Sequence, residues 1–512
     1  MTQVTFGNAN PLGSDIPDLY IQVQNPPSAA LSGVPTDIIG IVGTSSWGPV
    51  NSPVAFSDEA GGGAAFAPMA NRKYDLMTQA HAAIMQGAKN FRGVRVTDGT
   101  DAAATATIQT NGGTLTAKYT GSRGNGLQMV ISAGTANATK KVTLSIPGLQ
   151  PEIFDNIGGT ANASWLNIAA AINTGQANGR GPSQLAVFAA GASTTTAAVG
   201  TSTASGGLDG ATTITGTVMI GADTVPRSGM YALRNVISAG NFLLADCDDS
   251  TTWAAQLAFA KSELAYAIAV GPSGDTIANQ TTVINGAAID DPWIKVCFGD
   301  WVYMSDGVNG LVRKVSPQGF FAGCKAVIGP QNSTLNKPMY GIVGTEKSYA
   351  NQVYSTAELA LLAAARSDVI TIPSVGGAYP SARFGRSSSS DKSRQQETYT
   401  GMTNFLAASL GVSSGLGLFV GRLITPTEMR EAKNCIGGFL QGLWDGGLIG
   451  NSQGTIPYSV QVDAANNPPS QVALGVQVAT VNVQYLSVLE KFLVNLTGGA
   501  TVQIVSQQPL AA

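Results

Sequence analysis

The sequence is poor in charge and in histidine and holds no long apolar run, and these scarcities exclude several classes of protein. Only 12% of its 512 residues are charged, and the net charge of −3 leaves no electrostatic footprint for direct binding of nucleic acid. No window holds the roughly 18 uninterrupted apolar residues of a membrane span, so we expect no membrane insertion. So little charge suits a protein whose surface is covered by copies of itself, because little repulsion opposes association.

The motifs of common catalytic sites are also missing. A Ser-His-Asp triad or a histidine metal site would have to use His81, the only histidine, which lies within a helical pattern. The stretch 344–348 resembles a phosphate loop only superficially, because Glu346 stands where glycine must precede the lysine. We therefore predict no enzyme, no metal site and no cofactor.

The chain has four cysteines, and none of them pairs with another at CxxC spacing. We interpret Cys247, Cys297, Cys324 and Cys435 as buried thiols of a protein made in a reducing cytoplasm. The first twenty residues have neither the basic start nor the apolar stretch of a signal peptide. We expect export of this chain not to depend on its own sequence.

Two charged stretches stand out in the low-charge background. The acidic run at 246–249 could attract a cation, but without a second cluster at fixed spacing we predict a solvated loop or a helix cap. The basic residues of the second stretch could bind phosphate, but a solvated loop or a charged contact between subunits fits them better; they are Arg383, Arg386, Lys392 and Arg394.

The first half of the chain changes composition near residue 99. Residues 19–23 alternate as a strand and precede two prolines, which indicates an arm that docks far away or on another chain. A buried strand at 38–43, a helix at 74–86 and a strand at 91–96 predict an α/β unit. Residues 99–220 are rich in Thr, Ala, Gly and Ser with short alternating strands, and they predict a mostly β insertion with one helix at 164–173.

The second half resumes α/β alternation over 221–370 and then changes again. Residues 427–446 predict a strong amphipathic helix with an N-cap at Thr425 or Thr427. Alternating apolar residues predict three strands after it, at 458–463, 471–480 and 485–496.

Several segments, in chain order, resemble the tail sheath family of contractile phages. They include PDLYIQV at 17–23, IGIVGTSSWGPVNSP at 39–53, QGAKNFRGVRV at 86–96 and GGLDG at 206–210. VSPQGFFAG at 315–323 is similar to the family's PPSGxxAG segment, with Ser316 in place of one proline. FLQGLWDGGLIG at 439–450 matches the family's FLxxLWxxGxLxG signature. Together these segments span nearly the whole chain.

The resemblance implies an α/β and α+β multidomain protein with a nested architecture. Residues 26–98 and 371–512 would combine into a discontinuous inner α/β domain that faces the tube. Residues 99–220 would form a mostly β outer insertion, residues 221–370 an α/β middle domain, and residues 1–25 an N-terminal arm. Terminal arms would donate strands to neighbouring subunits.

The resemblance also implies a function and a set of residues that serve it. The chain would polymerise as a helical stack of rings around a tail tube protein, bounded by baseplate and tail terminator proteins. Contraction would drive the tube through the host cell envelope for genome delivery, in a virion tail assembled in the host cytoplasm. The residues expected in inter-subunit strand donation are Leu19, Tyr20, Ile21, Gln22, Val23, Tyr485, Val488, Leu489 and Phe492. Those expected in the inner-domain core are Phe439, Leu440, Leu443, Trp444 and Leu448.

Three alternatives stay open at this point. The chain could be the sheath of a phage-like bacteriocin or secretion device, although a single long chain with insertions favours a phage or phage-like tail. It could be a surface adhesin or glycan-binding β protein, which the 99–220 region would fit and the missing signal peptide opposes. A glycan hydrolase would need paired carboxylates in a cleft, and no pair stands out.

Overall fold

A computed structural model of the chain describes residues 3–6, 20–23, 31–411 and 416–496, the first two stretches as backbone strands. The strands, numbered in chain order, are β1 (Gln3–Phe6), β2 (Tyr20–Val23), β3 (Ile38–Gly43), β4 (Pro53–Phe56), β5 (Asn90–Arg95), β6 (Ala103–Ile108), β7 (Gly113–Thr120), β8 (Gln128–Ala133), β9 (Lys140–Ser145), β10 (Glu152–Ile157), β11 (Ala186–Ala190), β12 (Gly200–Thr203), β13 (Asn241–Leu244), β14 (Tyr266–Val270), β15 (Ile294–Cys297), β16 (Val302–Asp306), β17 (Leu311–Val315), β18 (Ile342–Thr345), β19 (Ser367–Asp368), β20 (Ile370–Thr371), β21 (Ser381–Ala382), β22 (Tyr458–Gln461) and β23 (Thr480–Val483). The α-helices are α1 (Glu59–Phe66), α2 (Leu76–Met85), α3 (Gln109–Gly112), α4 (Asn162–Thr174), α5 (Gly216–Ile220), α6 (Trp253–Glu263), α7 (Ile277–Gly286), α8 (Gln318–Ile328), α9 (Glu346–Tyr349), α10 (Thr356–Ala364), α11 (Glu397–Gly411), α12 (Pro426–Asp445) and α13 (Pro469–Val472).

A seven-stranded sheet forms the centre of the molecule. Its order is β19-β15-β14-β13-β3-β5-β4, and every neighbouring pair is parallel except β4–β5. Strand β3 has the sequence IIGIVG, and all six of its residues are buried. Continuous apolar strands of this kind are typical of parallel sheets that are covered on both faces.

Helices cover both faces of this sheet. Asn241 and Phe242 are neighbours on β13 and therefore point to opposite faces. Asn241 Nδ2 donates to the carbonyl of Ala322 on α8 (3.1 Å), whereas the Phe242 ring packs edge-on against Phe259 on α6 with ring centroids 5.3 Å apart. Helix α8 also packs closely on α2, because a Cβ at Gly323 would lie 2.6 Å from the Cα of Ala83.

Residues 103–203 form a β-rich unit with its own core. Its two sheets have the orders β10-β9-β8-β12 and β11-β7-β6, and the helix predicted over 164–173 is α4. Trp165 on α4 is fully buried, and its indole N–H donates to the carbonyl of Thr195 (2.9 Å). Arg95, at the end of β5, joins this unit to the central sheet, because its guanidinium donates to the carbonyls of Gly48 and Thr120.

The C-terminal unit is built on α11 and α12. Thr425 caps α12 by accepting a hydrogen bond from the backbone N–H of Glu428 (3.2 Å), and Pro426 occupies the first turn, as the amphipathic pattern predicts. Apolar residues of both helices form one cluster, and its buried members are Met402, Phe405, Leu406, Ile436, Phe439, Leu440, Leu443 and Ile449.

The strand predicted at 471–480 is wrong, although its apolar residues alternate. Pro468 and Pro469 begin the short helix α13, and Gly475 turns the chain with a φ of 74°. The paired strand β23 begins only at Thr480 and runs antiparallel to β22. Residues 484–496 form no helix or strand.

The central sheet groups the segments differently from the nested inner domain that the resemblance implies. Strands β3, β4 and β5 come from 26–98, and they pair with β13, β14, β15 and β19 rather than with strands from 371–512. Parallel strands can pair at any sequence separation, so local patterns do not determine their partners. The segment before β3 does reach the C-terminal unit: Val34 N donates to Ser409 Oγ (3.1 Å).

Candidate assembly surfaces

The ligand crevice typical of open parallel sheets is filled here by the chain's own side chains. In such sheets ligands bind at the carboxyl ends of the strands where the strand order reverses, which here is between β3 and β13. Asp246 occupies this place and accepts hydrogen bonds from Gln79 Nε2 (2.9 Å), Tyr74 N (3.2 Å) and Ser316 N (3.2 Å). Burial raises the pKa of Asp246 against the effect of these hydrogen bonds.

The sequence features that could suggest chemistry have structural partners. His81 Nδ1 lies 3.1 Å from a carboxylate oxygen of Glu59. In the acidic run, Asp248 pairs with Lys73 (2.8 Å), and Asp249 accepts a hydrogen bond from Thr251 N at the N-cap of a 3-10 helix. Within the described ranges, no three His, Cys, Asp or Glu side chains are grouped so as to hold a metal ion.

A buried group of charges joins the C-terminal unit to the central sheet. Lys295 on β15 lies 2.8 Å from Asp368 on β19 and 2.7 Å from Glu397 at the start of α11, and each of these side chains is at most 1% exposed. Thr334 adds two hydrogen bonds of 2.6 Å to Glu397, from its backbone N–H and its hydroxyl. Burial raises the pKa of Glu397, but Lys295, Lys325 and these hydrogen bonds outweigh burial and lower it to about 2.

Further polar contacts continue this joint along α11. Trp293 Nε1 donates to Asn404 Oδ1 (2.8 Å), and Asn404 Nδ2 donates to the carbonyl of Ala265 (3.1 Å). Thr400 Oγ1 donates to the carbonyl of Pro292 (2.8 Å). Positions 397, 400 and 404 lie on one stripe of the helix, so this stripe is fixed to the central sheet.

The stretch from Glu397 to Phe419 is long and apolar enough, by composition alone, to cross a membrane. Many of its described residues pack inside the protein, however. Glu397 is fully buried in the charge group, and Met402, Phe405 and Leu406 belong to the core of the C-terminal unit. Internal packing therefore accounts for its apolar character.

A neighbouring stripe of α11 holds the C-terminal segment 485–490. The rings of Tyr485 and Tyr399 stack with centroids 6.0 Å apart, and the Tyr485 hydroxyl lies 3.2 Å from Thr403 Oγ1. The Tyr399 hydroxyl lies 2.8 Å from Ser487 Oγ.

Two polar residues that precede α11 in the chain complete this contact. Gln396 Oε1 accepts a hydrogen bond from Val488 N (3.2 Å). Arg386, from the basic stretch noted in the sequence, forms an ion pair with Glu490, and its Nε donates to Glu490 Oε1 at 3.2 Å. Tyr485 and Val488 are predicted from the sequence to be donated to a neighbour, but here Tyr485 contacts α11 of its own chain and Val488 contacts the residue before this helix.

Beyond Glu490 the segment exposes large apolar side chains. Phe492, Leu493 and Leu496 are 80%, 83% and 89% exposed, and Leu489 is 71% exposed. Two grooves, of about 590 Å³ and about 1030 Å³, flank the anchored part of the segment on either side. Such a concentration of exposed apolar surface indicates a contact with another molecule.

The hairpin of β22 and β23 offers a second candidate surface. Tyr458, Val460, Val481 and Val483 are half-buried and pack on the cluster of α11 and α12, whereas alternate residues face outward. In the described residues this sheet has only two strands, so each strand has one edge without a backbone partner. A two-stranded sheet is only marginally stable by itself, and its open edges are suited to a further strand.

The N-terminal strand has a partner that the sequence does not predict. Strand β2 contains Tyr20, Ile21, Gln22 and Val23 and pairs in parallel with β1, from Gln3↔Tyr20 to Phe6↔Val23. The sequence predicts an arm that docks far away or on another chain, and in the structure one edge of this strand pairs with β1 of the same chain. Leu19 lies outside the described residues.

The predicted inner-domain core residues all lie in or against the cluster of the C-terminal unit. Phe439, Leu440 and Leu443 are buried, while Trp444 and Leu448 are half-buried against them. Their periodicity along α12 reflects this packing.

Sequence reasoning missed the charge group and the residues that hold the C-terminal segment. Lys295, Asp368 and Glu397 come from three separate segments of the chain. Arg386 and Gln396 are likewise far from Glu490 in the sequence. One signal was available: Lys295 interrupts the apolar strand Ile294–Cys297, where an unpaired charge would be costly.

Comparisons with known proteins identify the fold. No known family's sequence profile matches the chain, and no curated protein matches its sequence. Among solved structures, a sheath tail protein of Listeria innocua matches with a TM-score of 0.61 and 13% identity, over 89% of this chain and 96% of that one. A sheath tail protein of Desulfitobacterium hafniense matches with a TM-score of 0.56 and 16% identity, over 87% and 93%.

A third match extends the likeness to an assembled device. The sheath complex of the extracellular contractile injection system PVC, in its contracted state, matches with a TM-score of 0.54 and 10% identity, over 95% of this chain and 98% of that one. The chain therefore has the fold of tail sheath proteins, a mixed α/β multidomain architecture. The mixed α/β multidomain fold that the sequence resemblance implies is confirmed.

Proposed function

We propose that this chain is the structural subunit of a contractile tail sheath. Copies polymerise as a helical stack of rings around a tail tube and contract to drive the tube through a host cell envelope. The observation that supports this most is the likeness to sheath proteins over nearly the full length of both chains. The filled crevice at Asp246 supports a structural role without catalysis, because the usual ligand position of such a sheet is occupied.

The polymer is held together by strands passed between copies. The open edges of the β22–β23 hairpin and the exposed apolar side chains after Glu490 support this part of the proposal. Added strands supply backbone hydrogen bonds, while side chains such as Phe492 set the register. The N-terminal strand β2, with the preceding Leu19, takes part in the same mesh through its outer edge.

The proposal also includes an orientation of the subunit. The C-terminal unit, which carries the hairpin and the exposed segment, faces the tube, and the β-rich unit of residues 103–203 faces outward. A mesh of this kind stays connected while rigid units rotate past each other, as contraction requires. Baseplate and tail terminator proteins bound the polymer, which assembles in the host cytoplasm as part of a virion tail.

The fold does not separate a phage tail from a phage-like device, because both kinds of assembly use it. The surface adhesin and the glycan hydrolase have no comparable support. The matches to sheath proteins cover 89% and 95% of the chain and so extend into the β-rich unit.

Negative-stain electron microscopy of the purified chain tests the proposal. We expect hollow helical tubes with a wide lumen, formed by the chain alone or on a co-expressed tube protein. Uniform small particles at high concentration, with and without a tube protein, would contradict the proposed function.

A further inference from the structure

The contacts of the C-terminal segment with its own subunit end at Glu490, although Leu486 and Leu489 before it are already 47% and 71% exposed. Over residues 485–490, four residues contact α11 or the residues before it: Tyr485, Ser487, Val488 and Glu490. From Lys491 to Leu496 every residue is exposed. The boundary lies at the ion pair of Glu490 with Arg386, whose side chains are only 21% and 26% exposed.

The anchored part and the exposed part have opposite chemistry. The anchored part uses directional contacts: a stacked tyrosine pair, a backbone N–H bonded to Gln396, and a two-point ion pair with Arg386. The exposed part offers Phe492, Leu493 and Val494 in succession, of which the least exposed is 68% exposed. Directional contacts fix the position of the anchored part on its own subunit. The exposed apolar side chains, in contrast, are suited to be buried against a partner.

We propose that residues 485–490 stay anchored on α11 of their own subunit in the assembled sheath, so that the segment passed to a neighbouring copy begins at Lys491. Arg386 and Gln396 are the positioning residues that fix where this segment leaves the subunit. The inference rests on the proposed function, and it moves the start of the donated segment from Tyr485 to Lys491.

The position of α11 gives this anchor a mechanical role. One stripe of the helix is bonded to the central sheet through Glu397, Thr400 and Asn404, and the neighbouring stripe holds the segment through Tyr399 and Thr403. The exit point at Lys491 therefore moves with the central sheet. Tension on the donated strand during contraction passes through α11 to β15 and β19 instead of unravelling the segment.

Zero-length cross-linking distinguishes an anchored segment from an exchanged one. The variant Arg386→Lys places an amine beside the carboxylate of Glu490, which a carbodiimide can couple. The matched control is Arg422→Lys, because Arg422 pairs with Glu431 in the same unit at 3.2 Å without contacting the segment. Tubes grown from equal amounts of light and heavy isotope-labelled chains show by mass spectrometry whether a linked pair joins one chain or two.

We expect the 386–490 cross-link to join residues of a single chain, both in free subunits and in tubes. Subunits cross-linked before assembly should still form tubes. Mixed-isotope 386–490 cross-links in tubes, or loss of assembly after cross-linking while the cross-linked control assembles, would overturn the anchor. Failure of the unmodified chain to assemble on any tube would instead contradict the proposed function, so the two failures are distinguishable.

Charge variants test the positioning role of Arg386. We expect Arg386→Gln to speed amide hydrogen exchange across 485–490 by roughly three- to tenfold in free subunits and to give short, irregular tubes. The double exchange R386E/E490R should restore both, whereas Arg422→Gln should leave both unchanged. Ordered tubes and unchanged exchange in Arg386→Gln would show that Arg386 does not position the segment.

Discussion

Replacing Lys295 with methionine is the most informative single change to the stability of this subunit. Methionine nearly matches the length of lysine, so the change removes a charge while opening little cavity. It leaves the carboxylates of Asp368 and Glu397, both at most 1% exposed, without the ammonium that lies 2.8 and 2.7 Å from them. Removing one partner from a buried ion pair costs about 3–5 kcal/mol.

Among the described residues, no other lysine or arginine forms an ion pair with either carboxylate, although Lys325 Nζ lies 3.3 Å from the backbone carbonyl of Glu397. Asp368 keeps backbone hydrogen bonds from Val369, Phe384 and Gly385, and Glu397 keeps those from Thr334. These bonds limit the loss but do not replace a full charge. We therefore expect Lys295→Met to lower the free energy of unfolding by about 3–5 kcal/mol.

The pH dependence of the loss separates charge from packing. In the wild type, the pKa of Glu397 is lowered from its ordinary value of 4.5 to about 2. The ion pair of Glu397 therefore stabilises the fold fully at pH values above 4.5, and this contribution is lost as the pH falls toward about 2. Without Lys295, the pKa of Glu397 should rise. The deficit of the variant should therefore shrink between neutral pH and about pH 5, as a buried carboxylate takes up a proton.

Urea denaturation of unassembled subunits, followed by tryptophan fluorescence, measures the effect. The control Lys261→Met removes the more exposed pair with Asp291, in which Lys261 is 47% exposed, and it should cost less than about 1 kcal/mol. A loss for Lys295→Met of under about 1 kcal/mol, or a loss that does not change with pH, would refute the role of the buried charges.

Three further predictions concern other parts of the molecule. Burial raises the pKa of Asp75 to about 6, against the lowering effects of Thr78 and Arg72. The folded state therefore binds more protons than the unfolded state between about pH 4 and about pH 6, and its stability falls as the pH rises through this range. Asp75→Asn should remove about 3 kcal/mol of this pH dependence, and an unchanged stability–pH profile would contradict it. Trp444→Ala should lower the free energy of unfolding by about 2 kcal/mol in the same denaturation assay. This is less than the loss expected for a fully buried tryptophan, because Trp444 is half-buried. If the free energy of unfolding did not change measurably, Trp444 would lie outside the core. Deleting residues 1–22 removes most of the β1–β2 pair and should leave folded subunits that assemble poorly, whereas normal tubes in electron micrographs would refute a role of this arm.

Local patterns in the sequence predicted the elements whose stability is local. The helix predicted at 427–446 is α12, because Thr425 and Pro426 provide start signals that act within one turn. Strand β3 was found at its true position because a parallel strand buried on both faces is continuously apolar. Each of these signals lies within the element itself.

Features that depend on distant contacts were missed or misplaced. The alternation at 471–480 has the period of a strand, but the helix that begins at Pro469 and the turn at Gly475 prevent an extended strand there. A period alone also does not supply a pairing partner. The sequence likewise could not show that β3 pairs with β13 across the β-rich unit. The anchor of Glu490 on Arg386 joins residues 104 apart and leaves no periodic trace.

A helical cryo-electron microscopy reconstruction of tubes grown from the wild-type chain tests both the proposed sheath and the proposed strand exchange. We expect a hollow helical lattice in which the segment from Lys491 onward leaves its own α11 and packs on the β22–β23 hairpin of a neighbouring copy. A lattice in which this segment contacts only its own subunit, or the absence of any lattice even with a tube protein present, would contradict the account.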